Sequence, residues 1–232
     1  MKIETKVLVN FLKKVRMDGT HQIIESIFDF NEQGLRIKGM TQDETVKLDS
    51  MLSHDGFIKY EAIGKIGVQD IPTMIRILEK FGSEVEITVE GNIIKFHDNT
   101  KEMSTELMDV NFLKDITDVK SPEFTDQFTI DVKQLQEVID DASINKEFDL
   151  EFTTIEKGVT ISTSGKYKFK KNLSIPEAQG GVNVRFGTPF MHAVKNLTDN
   201  VILSMTTNFP VKILEKTEHS VITIVCAPLM KK

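Results

Sequence analysis

Residues 184–216, VRFGTPFMHAVKNLTDNVILSMTTNFPVKILEK, run parallel to residues 66–98, IGVQDIPTMIRILEKFGSEVEITVEGNIIKFHD. Each stretch has a proline near the start of an amphipathic segment and ends on two runs of alternating apolar residues; Val201 stands against Val85. A helix-then-hairpin order that recurs at long spacing marks an internal duplication, and it organises the reading on either side.

Upstream, Leu8, Phe11, Leu12 and Val15 fall on one face at helical spacing, which predicts a helix from Val7 to Arg16. IIESIFDF, a turn at Asn31-Glu32-Gln33-Gly34, LRIKGM and TVKLDSML read as antiparallel strands, and Gly56 to Ile66 as another. Asp70 as N-cap, Pro72 in the first turn and Gly82 past the end bound a second helix. A hairpin turning at Glu90-Gly91-Asn92 follows, then a strand from Lys101 to Met108. The layout then restarts. A third helix, Val132 to Ala142, carries Leu135, Val138, Ile139 and Ala142 on one face; FDLEFTTIEKGVTISTSG parallels SIFDFNEQGLRIKGM, with Gly158 matching Gly34. Between the copies DVNFLKDITDVKSPEFTDQ loses periodicity. The expected organisation is a domain at 1–108, a connector at 109–127 and a similar domain at 128–232. The fold class is α+β, each domain laying two short helices on antiparallel sheet.

Composition narrows the function. A hydrophobic share of 40% with 28% charged residues is that of a packed globular protein, not of a disordered one. No apolar run is long enough to span a bilayer, and the opening MKIETKVLVNFLKK lacks a signal peptide's apolar core and cleavage site. The lone Cys226 allows no internal disulfide. Together these predict an intracellular protein with no membrane role. With no Trp and two Tyr, platforms for stacking unpaired bases are not evident.

A net charge of −6 argues against a chain that is basic all over, but the charge is segregated. Opposite the apolar stripes lie Lys13 and Lys14 on the first helix, and Arg76 and Lys80 on the second. The fourth carries His192 and Lys195. The third has Lys133 but also Glu137 and Asp140, and is net acidic. Six full cations against two carboxylates suit a phosphate backbone, whose attraction is long-ranged and independent of sequence.

These residues resemble a known family. FLKKV at 11–15, GM at 39–40, HDGF at 54–57, ELMDV at 106–110 and above all VILSMTTNFPVKILEK followed by CAPLM are similar to the sliding clamps of the proliferating cell nuclear antigen (PCNA) type, archaeal-like, over essentially the whole chain. The resemblance implies a DNA clamp fold: two similar domains per subunit, three subunits closed head to tail into a ring, helices on the inner face and sheets outside. It implies a processivity factor that encircles duplex DNA and tethers DNA polymerase, clamp loader, flap endonuclease and DNA ligase through short client motifs. It places the client groove at Met40, Thr45, Val110, Phe112, Leu113, Phe209, Pro210, Ala227, Pro228, Leu229 and Met230. It places the subunit interface on edge strands at Lys101–Met108, with Glu102 and Glu106, and Tyr167–Ile175, with Tyr167, Lys168, Lys170 and Lys171. Opposite charges on two such edges favour head-to-tail pairing. The acidic third helix departs from the family, whose members commonly carry cations there.

No catalytic, metal or cofactor site is expected: phosphate-loop and nucleophile-elbow motifs are missing, the five histidines are scattered, and Asp140 and Asp141 diverge by about 100° on a helix. The alternatives to a homotrimer are a heterotrimeric or checkpoint-type clamp subunit, or a clamp-like scaffold that recruits partners without encircling DNA.

Overall fold

A computed structural model describes residues 1–117, 123–144, 149–164 and 168–229. The chain divides into two compact units: 1–42, 48–117 and 217–222 form the first, and 43–47, 118–216 and 223–232 the second.

In chain order the first unit comprises β1 (Lys2–Glu4), α1 (Thr5–Arg16), β2 (Ser26–Asn31), β3 (Gly34–Met40), β4 (Val46–Ser53), β5 (Phe57–Lys59), β6 (Gly64–Val68), α2 (Ile71–Leu78), β7 (Glu84–Glu90), β8 (Ile93–His97) and β9 (Glu102–Glu106). The second comprises β10 (Asp126–Ile130), α3 (Val132–Ala142), β11 (Asp149–Ile155), β12 (Gly158–Ser164), β13 (Lys170–Ser174), β14 (Asn183–Phe186), α4 (Thr188–Lys195), β15 (Val201–Met205), β16 (Val211–Lys216) and β17 (Ser220–Cys226), except that the first two residues of β4 fall in the second unit and the first three of β17 in the first.

The duplication is visible in the strand orders. The first unit runs β5-β1-β7-β8-β9 and β4-β3-β2-β6; the second runs β10-β15-β16-β17 and β13-β12-β11-β14. Apart from the extra β5, each strand of one copy has its counterpart in the other. The registers agree: Asn31 pairs with Gly34 and Ile155 with Gly158 across two-residue turns.

Alternation decides which strand face is covered. Phe28, Phe30, Leu35 and Ile37 point into the first core, while Ile27, Asp29, Arg36 and Lys38 occupy the other face. In the second core Phe152, Phe186 and Phe190 cluster with ring centroids 5.0–5.8 Å apart. Each buried ring contributes about 2–3 kcal/mol.

Helix α1 begins at Thr5, two residues before the sequence expectation, because the Thr5 amide donates to the Ser83 carbonyl (2.9 Å) and secures the first turn. It ends where Met17 adopts a φ of 63°. For α2 the Asp70 carboxylate accepts from the Thr73 amide at 2.8 Å, as an N-cap should. The helix stops at Leu78, before Gly82, and the amides of Glu79, Lys80 and Phe81 just past it donate to the Ile75, Ile77 and Leu78 carbonyls. The single strand expected at Gly56–Ile66 is two. A one-turn 3-10 helix at His54–Gly56 precedes β5, and Gly64, at φ +83°, turns the chain into β6. Between them Tyr60 donates its hydroxyl to the Asn31 carbonyl (2.7 Å).

Candidate nucleic-acid interface and docking surfaces

Within the first unit α1 packs beside α2. The exposed side of α1 carries Lys6 and Asn10, with Lys13 half-exposed. The apolar period starts only at Val7 and so leaves Lys6 outside the expected helix; its place seven residues before Lys13, two turns along the same face, is the sequence signal for it. Lys14, expected on this face, is 6% exposed. The covered stripe of α1 takes in Thr5 and Val9 as well as the four expected residues, and is wide enough to enclose Lys14 beside Phe11 and Val15.

Lys13 is paired with Glu79 just past the end of α2, at 2.7 Å. The Lys13 hydrogen bond, with the charges of Lys13, Lys80 and Arg16, holds the Glu79 carboxyl below its ordinary range. Arg76 is exposed, its Nη2 donating to Thr73 Oγ1 at 2.6 Å, and Lys80 is exposed. Lys101 donates its ammonium to the Lys80 carbonyl and lies 5.0 Å from the centre of the Phe81 ring. The C-terminal end of α2 thus gathers Arg76, Lys80 and Lys101, cations at the negative end of the helix dipole.

The second unit differs. Lys133, Glu137, Asp140 and Asp141 are exposed on α3, and Glu137 holds Lys171 of β13 at 3.4 Å. On α4 Lys195 is exposed and His192 half-buried. Gln136 of α3 donates to the carbonyls of Val194, Lys195 and Leu197 at 3.0–3.2 Å, satisfying the end of α4. Beside it, α3 and α4 line a cleft of about 410 Å³ that includes Asp140, Met191, His192 and Lys195.

The apolar positions fall on both units. In the first, Phe112 is 81% exposed, while Val110 and Met40 are half-buried. Leu113, expected beside them, is only 7% exposed and offers little free surface. The cause is Gly67, where the chain after β9 crosses β6: the Met108 amide donates to the Gly67 carbonyl (2.9 Å), and a Cβ on Gly67 would lie 2.3 Å from Met108 O and 3.0 Å from Leu113 Cδ1. In the second unit Phe209 is 50% and Leu229 45% exposed, Ala227 is exposed, and Thr45, Pro210 and Pro228 are half-buried. The tail is held by its backbone: Ala227 N donates to Thr45 O and Leu229 N to Arg185 O, both at 2.8 Å. The Leu229 side chain lies 3.4 Å from where a Cβ on Gly187 would stand. Met230 lies outside the described residues.

Strands β9 and β13 each end their strand order. Glu102 and Glu106 are exposed on β9, and Lys170 on β13 with Lys168 just before it. Lys171 is the half-exposed partner of Glu137; Tyr167 lies outside the described residues. Cys226 is buried, and burial pushes its thiol up to about 12. Among the described residues no three His, Cys, Asp or Glu side chains gather as a metal site, and no helix is long and apolar enough to cross a membrane.

No family model matches the chain, and no curated protein matches it. Solved structures do. PCNA of A. fulgidus, in a structure with the C-terminal region of FEN-1 bound, superposes with a TM-score of 0.87 at 16% identity, covering 100% of this chain and 98% of that one. The proliferating cellular nuclear antigen of Entamoeba histolytica gives 0.85 at 16% identity, covering 99% and 98%. The PCNA2-PCNA3 complex of Sulfolobus tokodaii gives 0.80 at 16% identity, covering 98% of each chain. From β1 to β17, therefore, the chain has the α+β fold of the PCNA sliding clamps.

Proposed function

We propose that this chain is a non-enzymatic DNA sliding clamp, a processivity factor whose subunits close into a trimeric ring around duplex DNA and tether replication and repair proteins inside the cell. The observation that carries the reading is the full-length likeness to clamps at a TM-score of up to 0.87, with the duplicated helix-and-sheet unit intact in both copies. In this reading 1–108 and 128–232 are the clamp domains and 109–127 the connector. Lys6, Lys13, Arg76, Lys80, Lys133, His192 and Lys195 face phosphates. The acidic edge of β9 meets the basic edge of β13 in the next subunit.

Clients, among them DNA polymerase, clamp loader, flap endonuclease and DNA ligase, dock through short motifs on the exposed apolar groups of each unit, chiefly Phe112 in the first and Phe209, Ala227 and Leu229 in the second. The FEN-1 region bound to the A. fulgidus protein supports this mode. A second reading, one subunit of a heterotrimer, is favoured by the acidic surface of α3 and by the PCNA2-PCNA3 complex among the similar structures.

Light scattering of the purified chain separates the two: a particle of three copies supports the homotrimer, and a monomer that assembles only with other clamp chains refutes it. Primer extension then tests the DNA contact. Lys6, Arg76 and Lys80 replaced by Ala should shorten products while the ring persists, each lost phosphate contact lowering the salt slope of DNA binding by about 0.9. Unchanged products and slope would mean that these cations are only solvated surface.

A further inference from the structure

On the strand face of the first unit that points away from its core there is a pocket of about 250 Å³, with Asp29 of β2, Arg36 and Lys38 of β3 and Lys65 of β6 as its floor and Lys114 and Asp115 as its rim. Arg36 is held by Asp49 in a bidentate pair, with Nε and Nη2 at 2.9 and 2.6 Å from the two oxygens, which fixes its guanidinium against the sheet. Asp29 sits between Arg36 and Lys65 in register, one partner on each neighbouring strand. Four cations meet two lining carboxylates, and with Asp49 set against Arg36 the pocket still keeps one positive charge in a chain whose net charge is −6.

Two features give the occupant. The volume admits one or two side chains, not a base pair or a stretch of duplex, and the pocket lies across the sheet from the covered face of β2 and β3. Its lining residues also have apolar neighbours close by along the chain. Met40 follows Lys38 on the same side of β3, and Phe112, 81% exposed, stands two residues before Lys114. A peptide laying an aromatic residue against Phe112 would bring the residues beside it within reach of Lys114, two positions on.

We propose that this pocket is an anion subsite for aspartate or glutamate side chains flanking the apolar anchor of a docking peptide, and that it selects acidic-flanked clients. The proposal rests on the client-docking reading above. A carboxylate entering the pocket can accept charge-assisted hydrogen bonds from Lys38, Lys65 or Lys114.

Three synthetic peptides share a pair of aromatic residues and carry three glutamates, three glutamines or three lysines beside it; fluorescence anisotropy measures their Kd on the intact protein at low and physiological salt. The glutamate peptide should bind about tenfold more tightly than the glutamine peptide and the lysine peptide more weakly. Lys38→Glu with Lys65→Glu should invert that order, and circular dichroism checks that the double variant folds. Inversion is an outcome that misfolding cannot produce. Equal Kd for all three peptides on both proteins would overturn the subsite and leave docking intact. Failure of every peptide to bind the unaltered protein would overturn docking and the subsite together. A preference that Phe112→Ala leaves untouched would show that the anion is held independently of the anchor and would refute the continuity argued here.

Discussion

Replacing Gly67 by alanine should release the start of the connector without unfolding the first unit. The added Cβ would stand 2.3 Å from the Met108 carbonyl oxygen, so either the strand or the crossing chain must move by about 1 Å to restore an ordinary contact. The crossing chain is the weaker of the two. It is tied to β6 at Gly67 by the Met108 amide, whereas β6 pairs with β2 from Gly64 to Val68. Displacement costs that hydrogen bond, about 1 kcal/mol, and much of the burial of Leu113, about 2 kcal/mol. Local opening of residues 107–117 should therefore rise roughly a hundredfold, each 1.4 kcal/mol being a factor of about ten. Hydrogen exchange followed by mass spectrometry reads this directly: peptides over 107–117 should exchange faster while those over β2 and β3 keep their protection. Leu113→Ala, which removes the side chain without crowding the strand, should give a smaller effect in the same peptides. Unchanged exchange across 107–117 in Gly67→Ala would refute the claim that this glycine pins the connector.

Glu79→Gln removes the carboxylate that pairs with Lys13 and should tighten binding to duplex DNA severalfold, with a steeper salt dependence; weaker binding would mean that Glu79 positions Lys13 productively. Because its folded pKa is lowered, the stabilisation from this exposed pair is present above the ordinary carboxylate range and fades as pH falls through the depressed folded value, which the pH dependence of Tm in wild type and Glu79→Gln should show as a small difference that closes in acid. Cys226 should resist alkylation in the native protein at pH 8 and react only as fast as the chain opens. Its thiol is raised from 9.0 to about 12, so native stability should fall as pH rises between those values; rapid modification at pH 8 would contradict the burial. Glu215→Ala should lower stability by about 2–3 kcal/mol in urea denaturation, since it removes a fully buried carboxylate that accepts from the Thr198 and Asp199 amides at 2.7 and 3.0 Å.

The duplicated pattern was legible because periodicity survives where residue identity does not. The third helix begins and ends where its apolar spacing predicts, and the Asp70 cap and the Gly91-Asn92 turn act through chemistry that needs no tertiary context. The misses share a cause: each depends on what another segment does. Lys14 is covered because the stripe of α1 is wider than four residues, which spacing alone does not report. Lys6 lies on a first turn that forms because Ser83 supplies an acceptor. Leu113 is buried because a glycine far upstream makes room for it, and Gly67 shows no turn signal in the sequence. The basic pocket is likewise unreadable locally, since Arg36, Lys65 and Lys114 come from segments that the sequence gives no reason to join.

The corrected helix faces change how a clamp built from this chain would hold DNA. Lys14 drops out and Lys13 is half-neutralised by Glu79, so Lys6, Arg76, Lys80 and the neighbouring Lys101 carry most of the positive character around the helices of the first unit. The second unit opposes it with Glu137, Asp140 and Asp141, against which Lys133 and Lys195 are set on the helices and Lys171 shields Glu137 from the side. At physiological ionic strength such charges act over roughly 8–10 Å, so a duplex in the proposed ring would be drawn chiefly by the first unit and only weakly by the second. Few and shallow attractions fit a protein whose residence on DNA comes from topology: phosphates can exchange between cations without a deep well to escape. On that argument, adding cations to α3 by Glu137→Lys and Asp140→Lys should strengthen DNA binding yet slow diffusion along it, because affinity and mobility draw on the same contacts.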